Sequence, residues 1–327
     1  MKEEEEKEEQ ERAAKGQSRA FWTGMTLTLL SAVLWGSTYT VIEVGLKYFN
    51  AYQISFFRAV FATATMVAIY SFDRKKIKSE LLVMPRDPKN WGLLILASFS
   101  GSAGFWTLLN LSVKYLRADT ASFVTSLYPL IAVVLASVLL REKMTIGRGV
   151  GVLMGIAGAY LIVSFGENAT IAGAQPLIGI MIALATAICF ASYIIVSKVL
   201  IGRRDKKSGI IFSPSYVTLA TFAIAIIPTL ILAVTTASPV ALLNASPKAI
   251  FVILYLGIVS SAIAFFLFNL GLKIVGATRA AINQLLFPVV SIVLSYLALG
   301  ETINLADGVG IIMILGGIVV AQRMSAS

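Results

Sequence analysis

Apolar residues run through this chain in long stretches separated by short polar loops. A helix that crosses the hydrocarbon core of a bilayer needs about 20 such residues. The pattern predicts ten spans: Trp22–Leu46, Tyr52–Phe72, Asn90–Tyr115, Ala118–Leu140, Gly147–Phe165, Pro176–Leu200, Ser213–Val234, Lys248–Ile274, Ala277–Leu299 and Asn304–Ala321. The short loops predict antiparallel neighbours packed side by side. In the fifth span Gly147, Gly151, Gly155 and Gly158 recur every three or four residues, a spacing that lets helix backbones approach closely.

The pattern repeats. Asn110–Glu142 reads NLSVKYLRADTASFVTSLYPLIAVVLASVLLRE, and Asn269–Glu301 reads NLGLKIVGATRAAINQLLFPVVSIVLSYLALGE, at an offset of 159 residues without a gap. Matches between leucines mean little in so apolar a chain. Asn110/Asn269, Lys114/Lys273, Pro129/Pro288 and Glu142/Glu301 mean more, and the register continues through Gly149/Gly308, Gly151/Gly310 and Gly158/Gly317. The first helices of the halves align as well, pairing Trp35 with Phe190, Ser37 with Ser192 and Glu43 with Lys198. A repeat of this kind sets the architecture: a tail over 1–20, one five-helix repeat over 21–166 and a second over 176–323.

Composition agrees. The 327 residues are 57% hydrophobic and 13% charged, where a soluble protein carries about 25% charged residues. The net charge of +10 does not indicate a nucleic-acid partner, because the basic residues sit in short loops and form no continuous patch. The acidic start, MKEEEEKEEQERAAKGQSR, lacks the layout of a signal peptide and reads as a solvated tail. With no histidine and one cysteine, Cys189, His ligation, an internal disulfide and a Cys-rich metal site are excluded. No P-loop, HExxH or GxSxG motif is present, so neither an enzyme nor an ATP-driven pump is expected, and no cofactor.

Charge also orients the chain. Arg74, Lys75, Lys76, Lys78, Arg86, Lys89, Arg141, Lys143, Arg148, Arg203, Arg204, Lys206 and Lys207 fall on one side of the ten-span layout, against Lys47, Lys114, Arg117 and Lys248 on the other. Both termini are expected in the cytoplasm, with the chain in the plasma membrane. Five helices per repeat is an odd number, so the second copy enters from the opposite side. The fold class expected is an all-α integral membrane protein of ten transmembrane helices in two inverted five-helix repeats, a construction common among secondary transporters.

WGSTY (Trp35–Tyr39), a lone arginine early in the second span (Arg58), the P-x10-L-x-E segments ending at Glu142 and Glu301, and the glycine-rich helix after each resemble the EamA branch of the drug/metabolite transporter superfamily. The resemblance covers Phe21–Arg323. It implies a ten-helix bundle with a central substrate path, alternating access, and export of amino acids or other small metabolites. One departure is Glu43, where the family often has a basic residue; Lys198 keeps it in the second half.

Candidate residues follow from depth and face. Pro129 and Pro288 sit near the middle of their spans and deprive the carbonyls of Thr125 and Gln284 of donors, so both helices should kink and could act as hinges. Trp35, Thr38 and Tyr39 share a face with Ser31; Ser102, Trp106 and Asn110 share another; Phe190 and Tyr193 lie on the sixth span, Phe265 and Asn269 on the eighth. These faces are expected to line the path. Asn283 and Gln284 stand where the first repeat has Val124 and Thr125, and this difference makes them candidate selectivity residues. Glu43 and Arg58 are expected to form a structural or coupling ion pair, and Glu142 and Glu301 to brace helix ends. An aromatic midplane suits a small ligand with an apolar body and no net charge. A phosphorylated substrate, a proton-coupled drug, and a passive channel remain open as alternatives. The expected partners are the bilayer and a small-molecule substrate, and one chain holds both repeats, so a monomer is expected.

Overall fold

The computed structural model describes residues 2–71, 84–116, 118–142, 145–165, 176–236, 245–299 and 305–323. The predicted brace at Glu301 and most basic residues of the loop after the second span lie outside them. The described residues are helical, apart from loops and one isolated bridge between Arg204 and Ile211. We label the helices α1 (Lys2–Gly36, then Thr38–Gly45), α2 (Ala51–Ser71), α3 (Pro88–Tyr115), α4 (Ala118–Thr125, then Tyr128–Leu139) and α5 (Ile146–Phe165). The second repeat holds α6 (Pro176–Leu200), α7 (Pro214–Thr236), α8 (Pro247–Val275), α9 (Ala277–Asn283, then Leu286–Leu299) and α10 (Leu305–Arg323).

Among the described residues, six stretches are long and apolar enough to cross a membrane: Gly16–Gly45, α2, α3, Leu177–Leu200, α7 and α8. Shorter apolar helices lie at Tyr128–Leu139, Ile146–Gly158 and Gly308–Ala321. The polarity is that of an integral membrane protein. Val138, Leu153, Met181, Ile227, Phe251 and Ile312 are exposed, whereas Arg58, Asn110, Asn269 and Gln284 are buried. The acidic tail is helical and continuous with α1.

Local chemistry explains the starts. Asp87 accepts from the Lys89 amide with Pro88 opening α3, and Ser246 accepts from the Ala249 amide with Pro247 opening α8. Each pair is an N-cap followed by a proline whose missing N–H is not needed there. These signals begin both helices slightly earlier than the apolar runs suggest.

Three helices are interrupted. In α4 and α9 the break falls at Ser126–Leu127 and at Gln284–Leu285, just before Pro129 and Pro288. Neither proline can donate to the carbonyl four residues back. The break in α1 at Ser37 has no proline behind it. Ser37 Oγ instead bonds to the Leu34 carbonyl at 2.8 Å and to Tyr255 Oη at 2.6 Å. A hydroxyl that competes for backbone groups loosens a helix.

Helix pairing survives the exchange of each helix for its counterpart. α1 packs on α8 as α6 packs on α3, α1 on α9 as α6 on α4, and α2 on α8 as α7 on α3; α2–α7, α4–α9 and α5–α10 pair with their own counterparts. Close approaches obey the same rule. Gly24 lies against Ile274 and Val275, and its counterpart Gly179 against Tyr115 and Leu116. A Cβ on Gly151 would collide with the Gly317 carbonyl, and one on Gly158 would sit 2.6 Å from the Gly310 carbonyl. The start of α5 thus meets the end of α10, so these counterparts run antiparallel, as inverted repeats require.

Candidate functional site

The two repeats meet around a cluster of aromatic rings. Trp35 of α1 stands edge-on to Phe190 of α6 at 5.1 Å and to Phe265 of α8 at 4.9 Å. Phe105 stacks on Phe190 at 4.7 Å, and Trp106 reaches Phe265 at 6.1 Å. Trp35, Trp106, Phe190 and Phe265, all expected from the sequence to line the path, are therefore in one cluster. Beside it lies a cavity of about 30 Å³, space for about two water molecules. Trp35, Tyr39, Phe105, Tyr128, Phe190 and Phe287 supply its aromatic wall, and Thr38, Arg58 and Thr125 its polar one.

The wall is placed by the irregular parts of the helices. Tyr128 and Phe287 immediately precede the two prolines and are counterparts. Their rings stack at 6.1 Å and 11°, and Tyr39 stacks on Phe287 at 5.7 Å. Wide π-helical turns fall at Phe99–Ala103 in α3 and Tyr255–Ile263 in α8, and such turns are frequent at functional sites. In α8 the turn brings Ser260 and Ser261 inward. Trp35 Nε1 donates to the Ser260 carbonyl at 2.9 Å, and Thr38 Oγ1 bonds to Ser260 Oγ at 2.6 Å.

Arg58 is 1% exposed. Its Nε donates to Ser261 Oγ at 3.1 Å and its guanidinium lies 5.1 Å from the Trp106 ring. Nη1 has no hydrogen-bond partner among the described residues, and neither has Tyr128 Oη. The expected pair with Glu43 does not form. Glu43 is exposed near the end of α1 and accepts from the Ala118 amide at 3.4 Å, while Arg58 turns inward. Helix counting put Glu43 near the end of the first span and Arg58 about two turns into the second from the same side, but their side chains point in different directions.

The other predicted path residues divide. Trp35, Thr38, Tyr39 and Phe190 line the cavity. Ser102, Trp106, Tyr193 and Phe265 are buried behind that wall. Asn110 donates to the Ala51 carbonyl and to Ser55 at 3.0 Å, and its counterpart Asn269 donates to Tyr193 Oη and Thr218 at 2.9 Å. Both tie the third helix of a repeat to the second. Asn283 and Gln284 do not reach the cavity. Asn283 donates to Thr28 Oγ1 at 2.7 Å, and Gln284 to the Thr28 carbonyl at 2.8 Å and Ser31 Oγ at 3.2 Å. They fasten the broken α9 to α1. Sequence reasoning passed over Phe105, Leu109, Tyr128 and Phe287. The aromatic–proline pairs Tyr128–Pro129 and Phe287–Pro288, repeated at the common offset, were the available signal.

One end of the bundle is closed by charge. Glu142, after α4, accepts from the Ala277 and Thr278 amides at 3.0 and 3.1 Å and so caps α9. A carboxylate is favoured at a helix N-terminus. Burial pushes its pKa up, but the Thr278 hydroxyl, these amides and the Lys198 charge outweigh that and hold it below the ordinary value. Lys198 Nζ donates to the Leu272 and Lys273 carbonyls at the end of α8. At the same end Asp205 accepts from the amides of Arg86, Asp87, Lys207 and Ser208 and from Asn90 Nδ2. Burial raises its pKa, and these donors overcome that and depress it.

Known proteins share this plan. The sequence model of the EamA-like transporter family matches residues 22–164 and 177–322. Uncharacterized transporter YyaM of Bacillus subtilis (strain 168) is 25% identical over 291 residues, covering 89% of this chain and 90% of that protein. A protein of Streptantibioticus cattleyicolor named as a probable terminal-alkyne amino-acid exporter is 24% identical over 316 residues, covering 95% and 97%. A solved crystal structure matches with a TM-score of 0.74 at 16% identity, covering 93% of this chain and 97% of that one, which is a likeness of fold.

Proposed function

The chain belongs to the EamA-like transporter family, and on that premise we propose that it is a secondary transporter exporting small neutral or zwitterionic metabolites, with amino acids as the substrate class. The observation that carries this reading is the aromatic cavity at the seam between the repeats. Aromatic faces bury an apolar side chain and attract an ammonium group. The similarity to a protein named as an amino-acid exporter supports the class.

The cavity is too small for an amino acid, so loading requires its walls to move. Alternating access supplies that movement, with the breaks before Pro129 and Pro288 as hinges, because Tyr128 and Phe287 ride on them. The basic loops orient both termini toward the cytoplasm in the plasma membrane. A monomer suffices, since one chain supplies both repeats. The test is counterflow of L-phenylalanine, L-leucine and L-threonine in proteoliposomes. Saturable, trans-stimulated exchange is the expected result; non-saturable flux indicates a channel, and no flux of any amino acid removes the reading. Pro129→Ala and Pro288→Ala should slow exchange, and unchanged rates in both would eliminate the hinges.

A further inference from the structure

We propose that Arg58 is a carboxylate-binding subsite of the central cavity, taking the carboxylate end of a small zwitterionic substrate. The proposal rests on the transporter reading above and adds to it the group by which the substrate is held.

The argument begins with the unused donor. Arg58 is almost fully buried, and its Nε donates to Ser261 Oγ at 3.1 Å. Nη1 is left without a partner among the described residues while the side chain lines the cavity. A guanidinium stays charged at any physiological pH. Burying it without a counter-ion is strongly unfavourable in a membrane protein. Glu43, the acid nearest in the sequence, is exposed and engaged with Ala118. Among the described residues, no Asp or Glu lines the cavity.

The surroundings hold the guanidinium ready. Ser261 Oγ donates to the Leu256 carbonyl at 2.7 Å, five residues back along the π-helical turn, so its lone pairs face Arg58. Trp106 packs under the guanidinium plane at 5.1 Å. One edge of the fork is thereby anchored and another left free. Nη1 keeps its N–H groups free, and a carboxylate accepts short, charge-assisted hydrogen bonds from a guanidinium. Tyr128, whose Oη also has no partner among the described residues, lines the same cavity and offers a further donor. A single cation matches one negative charge rather than a phosphate dianion.

The repeats differ at this point. Ser55 and Thr218 hold equivalent positions, each accepting from its repeat's asparagine. Three residues later stand Arg58 and Thr221. The Thr221 hydroxyl is spent on the Thr218 carbonyl. Thr221 supplies no cation at its position, so one of the two equivalent places carries the charge while aromatic rings line much of the rest of the cavity, which orients an amphiphilic ligand.

The test measures thermal stabilisation of the purified full chain by phenylacetate, L-phenylalanine, phenethylamine and chloride, for the unaltered protein, Arg58→Gln and Arg58→Lys. Phenylacetate and L-phenylalanine should stabilise the unaltered protein. Arg58→Lys keeps the charge without the fork and should weaken both about tenfold; Arg58→Gln should weaken them further, with phenethylamine little changed. Equal carboxylate affinity in both variants overturns the proposal. Stabilisation of the unaltered protein by chloride at the same concentration overturns it as a carboxylate site. If Arg58→Gln does not fold, Arg58→Lys decides alone. The two readings separate cleanly. Arg58-dependent phenylacetate binding without amino-acid counterflow leaves the subsite and removes the transporter reading. Counterflow with the same KM in Arg58→Lys does the reverse.

Discussion

Two helix N-termini occupy equivalent places in the repeats and are held differently. The start of α9 gives its first two amides to both oxygens of Glu142 at 3.0 and 3.1 Å, and Lys198 acts on the same carboxylate. The start of α4 gives one amide to the exposed Glu43 at 3.4 Å. Glu43 and Lys198 are counterparts. In the first repeat this position supplies the acid directly; in the second it supplies a base that supports an acid from elsewhere. The departure at Glu43 therefore has a structural meaning. Among the described residues, which leave out Glu301, the counterpart of Glu142, the near-symmetric scaffold carries a firm closure of one helix start and a light one of the other.

The comparison can be broken most strongly at Glu142. Glu142→Ala removes the cap of α9 and the negative charge beside Lys198, and should cost about 1–2 kcal/mol, read as a lower unfolding midpoint in detergent. An unchanged midpoint would mean the firm closure is not firm.

Acid acts on the same end. The folded pKa of Asp205 is depressed, so its stabilisation is complete above the unfolded value of about 4 and is lost as pH falls through the folded one. Glu142 has the same sign. The midpoint should fall below about pH 4, and Asp205→Asn should flatten that fall while lowering the midpoint at neutral pH. A pH profile identical in the variant would remove Asp205 from the account.

At the light end the effects shrink. Glu43→Lys copies the counterpart residue and sets a cation against the α4 N-terminus, a change of about 0.5–1 kcal/mol. Glu43→Gln keeps an acceptor and should change stability by about 0.3 kcal/mol or less. A loss matching that of Glu142→Ala would make the two ends equal.

Much of this scaffold could be read from the chain. Lipid demands long apolar helices with internally satisfied backbones, so apolar runs located the helices, and the repeated Asn110 and Asn269, Pro129 and Pro288 located their counterparts. The cavity was harder. Gln284 and Arg58 are both polar residues at depth, and no pattern along their own helices distinguishes them. What distinguishes them sits opposite: Thr28 and Ser31 take up Gln284, whereas Ser261 and Trp106 leave part of Arg58 free. The break at Ser37 was hidden for the same reason, since Tyr255 reaches it from another helix. Prolines announce their effect in one dimension; hydroxyls act through partners far away in sequence.

The glycine seam between α5 and α10 has the form of an isologous interface. Gly151 meets Gly317 and Gly158 meets Gly310, and because Gly151 corresponds to Gly310 and Gly158 to Gly317 these are one contact made twice. Because both copies lie in one chain, an enlarging substitution at one glycine strikes a single contact and leaves its twin intact, so the seam loses half of its close approach rather than all of it.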